Sequence, residues 1–179
     1  MLEARKCCLV IVDVQGKLAH LMHDRDALFK KLRILIEAAK ILDIPILWCQ
    51  QCPEALGPTI AEISALLADE TPIDKSSFSC WHSSEFGNKL GSLARRQVLL
   101  AGIEAHVCIY QTALDLLGKD YEVHVIADAV SSRTSENKHV ALGRIQAEGV
   151  RISTTEMALF ELLRSADHPR FKEIANLMK

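Results

Sequence analysis

The chain has 179 residues, 49% of them hydrophobic, which is enough to bury a sizeable core in one globular domain. Its 21 Lys and Arg residues nearly balance its 23 Asp and Glu residues, so the net charge of -2 gives no basic surface for nucleic acid. No apolar run approaches the length of a membrane span or forms a signal-peptide core. We therefore expect a single domain over residues 1–179 in the cytoplasm, with free thiols and with neither nucleic acid nor membrane as a partner.

Short apolar runs alternate along the chain with longer amphipathic ones. In chain order, the pattern predicts a strand over 7–14, a helix over 24–43, a strand over 44–49, helices over 57–68 and 83–94, a strand over 97–102, a helix over 107–119, a strand over 121–129, a helix over 135–149, a strand over 150–154, and helices over 155–166 and 168–179. This alternation indicates βαβ units, and hence an α/β fold whose parallel sheet is covered by helices on both faces. Ligands of such sheets bind beyond the carboxyl ends of the strands.

Two reactive residues follow predicted apolar strands. Asp13 comes directly after the first strand run, where a charged residue is seldom buried without a partner; a helix cap or a structural pair is the alternative to a functional role. Cys108 opens the predicted helix 107–119, and a helix N-terminus lowers the pKa of a thiol and can hold an oxyanion. The alternative for Cys108 is an inert buried thiol, which is the usual state of a free cysteine.

Lys75 lies in a predicted polar loop, where a lysine is normally solvated. Together with Asp13 and Cys108 it nevertheless makes a coherent chemical set. The carboxylate can accept the thiol proton, the cation can support the charged pair, and the thiol can attack a carbonyl carbon. This set predicts nucleophilic catalysis at one edge of the sheet.

Four stretches resemble the isochorismatase-like cysteine hydrolases, which include the nicotinamidases and N-carbamoylsarcosine amidohydrolase. They occur in the order and spacing of that family: "VIVDVQGKL" (10–18), "DKSSFSCW" (74–81), "AGIEAHVCIYQTALDLL" (101–117) and "VIADAVSSRT" (125–134). With its tail, 168–179, the chain looks closest to the isochorismatase-domain-containing subgroup. The resemblance implies a Rossmann-like three-layer sandwich with a six-stranded parallel sheet, a small-molecule substrate, and a homo-oligomer (dimer, tetramer or larger).

The resemblance also implies roles for individual residues. The catalytic triad of the family maps onto Asp13, Lys75 and Cys108. Many members have a non-proline cis peptide before the nucleophile loop, which by position would join Ile103 to Glu104. The oxyanion hole would then be formed by the backbone N–H groups of Glu104 and Cys108.

The sequence departs from the family around the expected pocket. Position 104 is often Thr in the family and is Glu here, so its side chain either enters the pocket and selects the substrate or points away. Position 18 is often aromatic and is Leu here, which removes a wall on which a substrate could stack. We expect Leu18, Gln50 and Trp81 to line the substrate pocket, with a core position as the alternative for Trp81.

No cofactor or metal is expected. Nicotinamidases hold a metal with an Asp/His/His set, but the corresponding segment here, "WCQQCPEALGP", contains no His. Its C-x-x-C pair, Cys49 and Cys52, lies beside a strand end rather than at a helix N-terminus, and no second Cys or His pair stands at ligand spacing. Packing thiols are therefore favoured over a redox or zinc site.

These observations predict a cysteine hydrolase of a small amide, imide or related carbonyl compound, that is, an amidohydrolase of non-peptide C–N bonds. Cys108 would form a thioester, with Asp13 as the base and Lys75 in support. Two alternatives stay open. One is a non-catalytic scaffold that uses the same fold for binding, and the other is a vinyl-ether hydrolase of the isochorismatase kind, whose chemistry needs an acid but no thiol.

Overall fold

The strands form one sheet in which every neighbouring pair is parallel. A computed structural model describes residues 1–179. The strands are β1 (Cys7–Val12), β2 (Ile46–Gln51), β3 (Ile73–Lys75), β4 (Gln97–Ile103), β5 (Glu122–Ser131) and β6 (Arg151–Ser153), and their order across the sheet is β3-β2-β1-β4-β5-β6. The predicted α/β class and six-stranded parallel sheet are confirmed.

Helices cover both faces of this sheet. They are α1 (Gly16–His20), α2 (Arg25–Ile41), α3 (Pro53–Leu56), α4 (Ala61–Ser64), α5 (Ser84–Ser92), α6 (Tyr110–Leu117), α7 (Ser135–Ala147), α8 (Thr155–Leu163) and α9 (Phe171–Leu177). Apolar residues of α2, α8 and α9 share one core, and those of α5, α6 and α7 share the other. None of the helices combines the length and the apolarity needed to cross a membrane.

The side chains of β1 contribute to two hydrophobic cores, one on each face of the sheet. All six of its residues are fully buried, as expected for a central strand of a parallel sheet. Successive side chains point to opposite faces, so Cys7, Leu9 and Ile11 enter one core, whereas Cys8 and Val10 enter the other. A central strand that is covered on both faces therefore needs a continuous apolar run.

The strands β1 to β3 follow one another toward one edge of the sheet, and β4 to β6 follow one another toward the other edge. The strand order therefore switches between β1 and β4, which are hydrogen-bonded neighbours. Parallel sheets bind ligands at such a switch point, beyond the carboxyl ends of the strands. Gly102, with φ of 119°, permits the close approach of the two strands there, because a Cβ atom would lie 2.1 Å from the backbone oxygen of Val12. The residues that follow Val12 and Ile103 consequently face each other.

Two parts of the chain differ from the predicted elements. Lys75 ends the short edge strand β3 and does not lie in a loop; three residues give too little alternation to be recognised as a strand. The helix predicted over 57–68 begins only at Ala61, as α4, and continues as a 3-10 turn, Ala65–Leu67. Gly57 has a φ of 81° and the N-cap Ile60 a ψ of 146°, so the residues before Ala61 do not join the helix.

Candidate active site

Asp13 and Lys75 form a buried ion pair at the switch point. The Lys75 Nζ donates to Asp13 Oδ2 at 2.8 Å, and the two side chains are 0% and 2% exposed. Since β2 lies between β1 and β3, the lysine side chain spans a strand to reach the carboxylate. Loss of either partner would leave the other as an uncompensated buried charge.

The ammonium group of Lys75 is fully engaged by the protein. It donates to Asp13 Oδ2 and Gln51 Oε1 at 2.8 Å, and the backbone oxygens of Ser77 and Phe78 both lie at 3.2 Å. An ammonium group has only three N–H bonds to share among these acceptors. Burial is the largest single effect and lowers the pKa of Lys75, but the charge and hydrogen bond of Asp13 together with the nearby Cys80 and Cys108 outweigh it, so this pKa is raised. Lys75 is therefore a fixed cation rather than a proton donor.

Asp13 keeps one carboxylate oxygen free. Its Oδ1 is the single buried side-chain nitrogen or oxygen atom of the chain without a hydrogen-bond partner. Its φ of 56° is left-handed, a conformation that Asp tolerates better than most residues. Burial raises the pKa of Asp13 even though Lys75 opposes this shift. A carboxylate with an unused acceptor and a raised pKa is well suited to take a proton.

Cys108 lies in a π-helical turn, Ala105–Ile109, directly before α6, and it is only 7% exposed. Burial and the charge of Asp13 raise the pKa of its thiol, although Lys75 acts in the opposite direction. The expectation that a helix N-terminus would lower this pKa is therefore wrong. The reason is tertiary: the turn buries the sulfur beside a carboxylate that comes from another strand. Cys108 rests as a thiol and needs a base to become a nucleophile.

A cavity of about 100 Å³ brings these groups together. It is lined by Asp13, Leu18, Gln51, Leu56, Phe78, Ile103, Glu104, Val107 and Cys108. A wider surface depression of about 630 Å³ lies near Lys40, Asp69 and Arg95, but no cysteine lines it. The small cavity is lined by both the Cys108 thiol and the Asp13 carboxylate, and it is the candidate active site.

Of the three predicted wall residues, the structure brings only Leu18 to this cavity. Gln50 points to the other side of β2, where its Oε1 accepts from the backbone N and the Oγ1 of Thr59 at 2.9 and 3.0 Å. Trp81 packs against Tyr121 instead, with ring centroids 6.3 Å apart. Gln50 and Trp81 therefore do not line the pocket, and the neighbouring Gln51 does.

Glu104 contributes both its backbone and its side chain to the cavity. The peptide bond between Ile103 and Glu104 is cis. The Glu104 N–H donates to no oxygen of the protein, which leaves it available to an oxyanion. The side-chain Oε1 accepts from the backbone N and the Nε of Arg133 at 3.2 and 3.1 Å. The side chain thus lines the pocket wall with its charge already paired.

Gln15 and Gln51 are site residues that the sequence analysis missed. Gln15 accepts from the Gln51 backbone N at 2.6 Å and donates to the backbone oxygens of Gln51 and Gly57 at 3.1 and 2.7 Å. Gln51 in turn donates to the Ser76 backbone oxygen at 2.7 Å while accepting from Lys75. The two amides hold the end of β2 in register with the lysine. A glutamine directly after an apolar strand and close to Asp13 was the available signal.

No group of three or more His, Cys, Asp or Glu side chains is arranged to hold a metal ion. All six cysteines are free thiols. Cys49 is buried and Cys52 is half-buried, and Cys52 is the N-cap residue directly before the one-turn helix α3.

The comparisons with known proteins agree on one family. The isochorismatase domain matches residues 7–157. A Phytophthora sojae protein described as a secreted isochorismatase effector, Isc1, is 39% identical over 175 residues, which cover 96% of this chain and 83% of that protein. Isochorismatase domain-containing protein 2 of Danio rerio is 38% identical over 177 residues, which cover 99% of this chain and 89% of that protein.

Solved structures have the same fold. The structure of MAR1 ribonuclease from Caenorhabditis elegans superposes with a TM-score of 0.93 at 36% identity, and covers 99% of this chain and 91% of that one. The YcaC gene product of Escherichia coli, described as an octameric hydrolase of unknown specificity, gives a TM-score of 0.88 at 22% identity, with 99% and 94% of the two chains covered. At that identity the second likeness concerns the fold alone.

Proposed function

This chain belongs to the isochorismatase domain family, and we propose that it is a cysteine hydrolase of a small amide, imide or related carbonyl compound. One observation carries the proposal. A thiol and a buried carboxylate with a free oxygen line a single cavity at the switch point of the sheet, and a fixed cation is ion-paired with that carboxylate. Nucleophile, base and supporting charge are the parts that acyl transfer requires.

The first half of the reaction acylates the enzyme. Asp13 Oδ1 takes the proton from Cys108 as the sulfur attacks the carbonyl carbon, because the raised pKa of the thiol leaves little free thiolate. The C=O electron pair moves onto the oxygen, and the N–H groups of Glu104 and Cys108 stabilise that oxyanion. When the C–N bond breaks, protonated Asp13 gives its proton to the leaving nitrogen, and a thioester remains on Cys108.

The second half regenerates the free enzyme. Asp13 takes a proton from a water molecule that attacks the thioester carbonyl, and the same two N–H groups again hold the oxyanion. As the C–S bond breaks, the proton returns from Asp13 to the sulfur, and a carboxylic acid leaves. Lys75 stays protonated throughout and keeps the Asp13 carboxylate in place.

A Cys108→Ala variant tests this mechanism. It should lose at least about a thousandfold in kcat/KM on any small amide that the wild type hydrolyses, since the nucleophile is gone. Cys52→Ala is the matched control, because Cys52 is a half-buried thiol that does not line the cavity. Mass spectrometry of acid-quenched wild type should find an acyl group on Cys108. Retained turnover in Cys108→Ala would exclude the mechanism.

The same pair of variants separates the rival functions. The C. elegans relative is described as a ribonuclease, so RNA cleavage is the rival to test first. Cleavage of a radiolabelled RNA oligonucleotide that is lost in Cys108→Ala but kept in Cys52→Ala would replace amide hydrolysis as the proposed function. A scaffold would show no turnover with either variant or with wild type. Vinyl-ether hydrolysis would persist in Cys108→Ala, because it needs an acid but no thiol.

We include a cytoplasmic location and a homo-oligomer in the proposal. Six free cysteines suit a reducing compartment, although one relative is described as secreted. One solved protein of this fold is described as octameric. Fractionation of cells and light scattering of the purified protein measure these two properties directly.

A further inference from the structure

The size of the cavity limits what can lie beside Cys108. Its volume is about 100 Å³. Pockets for drug-sized ligands measure about 300–1,000 Å³, and a protein cavity of about 150 Å³ accepts benzene. The cavity is therefore smaller than one known to accept benzene. A group of a few heavy atoms fits, and an aromatic ring is disfavoured.

The charges around the cavity are already paired within the protein. The ammonium of Lys75 is saturated by four acceptors, and the guanidinium of Arg133 is held by Glu104. No Lys or Arg lines the cavity, whereas the carboxylates of Asp13 and Glu104 both do. An anionic group would therefore enter beside two carboxylates, with no cation on the cavity wall to receive it.

Gln51 also lines the cavity, but its amide is already bonded to Lys75 and to the Ser76 backbone oxygen. The remaining walls are apolar and are formed by Leu18, Leu56, Phe78, Ile103 and Val107. Such walls favour aliphatic groups, because burial of each CH₂ is worth about 0.8 kcal/mol. They provide no partner for a second polar group, which would lose its hydrogen bonds to water on entry.

We propose that the site is specific for an uncharged, aliphatic acyl group of a few heavy atoms and excludes carboxylate-bearing and aromatic ones. The proposal rests on the proposed function, because it describes the compound that Cys108 would attack. Phe78 sets the size limit: its side chain is 53% exposed while lining the cavity, so it forms the wall on the solvent side. Glu104 sets the charge preference together with Asp13.

Alkylation of Cys108 tests the proposal without requiring turnover. Three reagents are used on the folded protein, followed by peptide mass mapping: iodoacetamide, iodoacetate and N-benzyl iodoacetamide. Cys52 serves as an internal reference for intrinsic reactivity, since it is a half-buried thiol outside the cavity. Relative to Cys52, Cys108 should prefer iodoacetamide over iodoacetate, and over the benzyl reagent, by at least about tenfold each.

Two variants assign these preferences to named side chains. Phe78→Ala should raise labelling of Cys108 by the benzyl reagent about tenfold relative to iodoacetamide, because it opens the solvent-side wall. Phe160→Ala, which removes another half-exposed phenylalanine outside the cavity, should change nothing. Glu104→Gln should raise labelling by iodoacetate relative to iodoacetamide, because it removes a carboxylate and frees Arg133.

Several results would overturn the proposal. They are equal reagent ratios at Cys108 and Cys52, a preference of Cys108 for iodoacetate, or no labelling of Cys108 while Cys52 reacts to completion. Failure of the proposed function looks different. In that case Cys108 would keep its selectivity for the small neutral reagent, but no amide would be hydrolysed.

Discussion

The two ends of the sheet each carry a polar cluster that is at least partly buried, and the clusters differ in one respect. The amino-end cluster consists of Gln97, Glu122, His124 and Arg151; Glu122 Oε1 accepts from Arg151 and pairs with His124 at 2.6 and 2.9 Å, and Gln97 donates to Glu122 Oε2 at 3.2 Å. Every buried side-chain nitrogen and oxygen there has a partner. The carboxyl-end cluster consists of Asp13, Gln51, Lys75 and Cys108. It contains Asp13 Oδ1, the one buried side-chain nitrogen or oxygen without a partner.

The difference shows what separates a site from a structural network. Both clusters combine acid, base and amide groups, so polar composition does not distinguish them. The carboxyl-end cluster has an orphaned carboxylate oxygen and an adjoining cavity. A buried acceptor left without a partner costs stability, and this cost is expected where a group must be available for chemistry. The following variants challenge this distinction, starting with the largest expected effect.

Loss of Lys75 should affect the protein most. Lys75→Met leaves the Asp13 charge buried and unpaired, so the free energy of unfolding should fall by about 3–5 kcal/mol and hydrolysis should fall at least a hundredfold, by rough analogy with other electrostatic supports. Arg151→Met at the amino end is the matched control. Its side chain is 54% exposed, and loss of its ion pair with Glu122 should cost at most about 1 kcal/mol. Urea unfolding measures both, and equal losses would refute the comparison.

Two glutamines provide a subtler pair. Gln51→Ala should lower kcat about tenfold or more, with a smaller change in KM, because Lys75 loses an acceptor that positions it. Gln97→Ala removes an amide that anchors the backbone of Met1 and Glu3, and should cost about 1–2 kcal/mol of stability without altering kcat. If both variants change only stability, Gln51 has no positioning role.

The sheet was predictable because its central strands are continuous apolar runs that can be recognised in the sequence. A continuous apolar run such as Cys7–Val12 fits a strand buried on both faces. The short edge strand β3 has no such run, and Lys75 is part of a strand only because it pairs with the edge of β2. Its existence depends on tertiary pairing, which local sequence does not encode.

Parts of the site were harder to predict than the fold. Asp13 and Cys108 follow central strands, so the topology alone brings them together. Gln50 and Gln51 have the same side chain, and a one-residue error in register exchanges the two faces of a strand. The raised pKa of Cys108 arises from burial and from a carboxylate nearly a hundred residues earlier in the chain, so helix position gave the wrong sign.

The smallest expected effect is the change in folding stability of the two clusters as the pH falls. Hydrogen bonds from His124 and Gln97, together with Arg151, lower the pKa of Glu122 against the opposing effect of burial. A carboxyl group whose folded pKa is lowered stabilises the fold above its ordinary pKa and loses this contribution as the pH falls toward the folded value. Asp13 has the opposite sign: its raised pKa opposes folding at neutral pH, and protonation relieves that cost as the pH falls.

Glu122→Gln should therefore lose stability at pH 7, and the urea midpoints of variant and wild type should converge as the pH falls below about 4.5, the ordinary value for Glu. Glu148→Gln is the control, since Glu148 is an exposed glutamate at the end of α7 and makes no ion pair. The two midpoints of that control should stay parallel across the range. A Glu122→Gln difference that grows toward acid pH would mean that the amino-end cluster, like the carboxyl-end one, holds its carboxylate at a cost to folding.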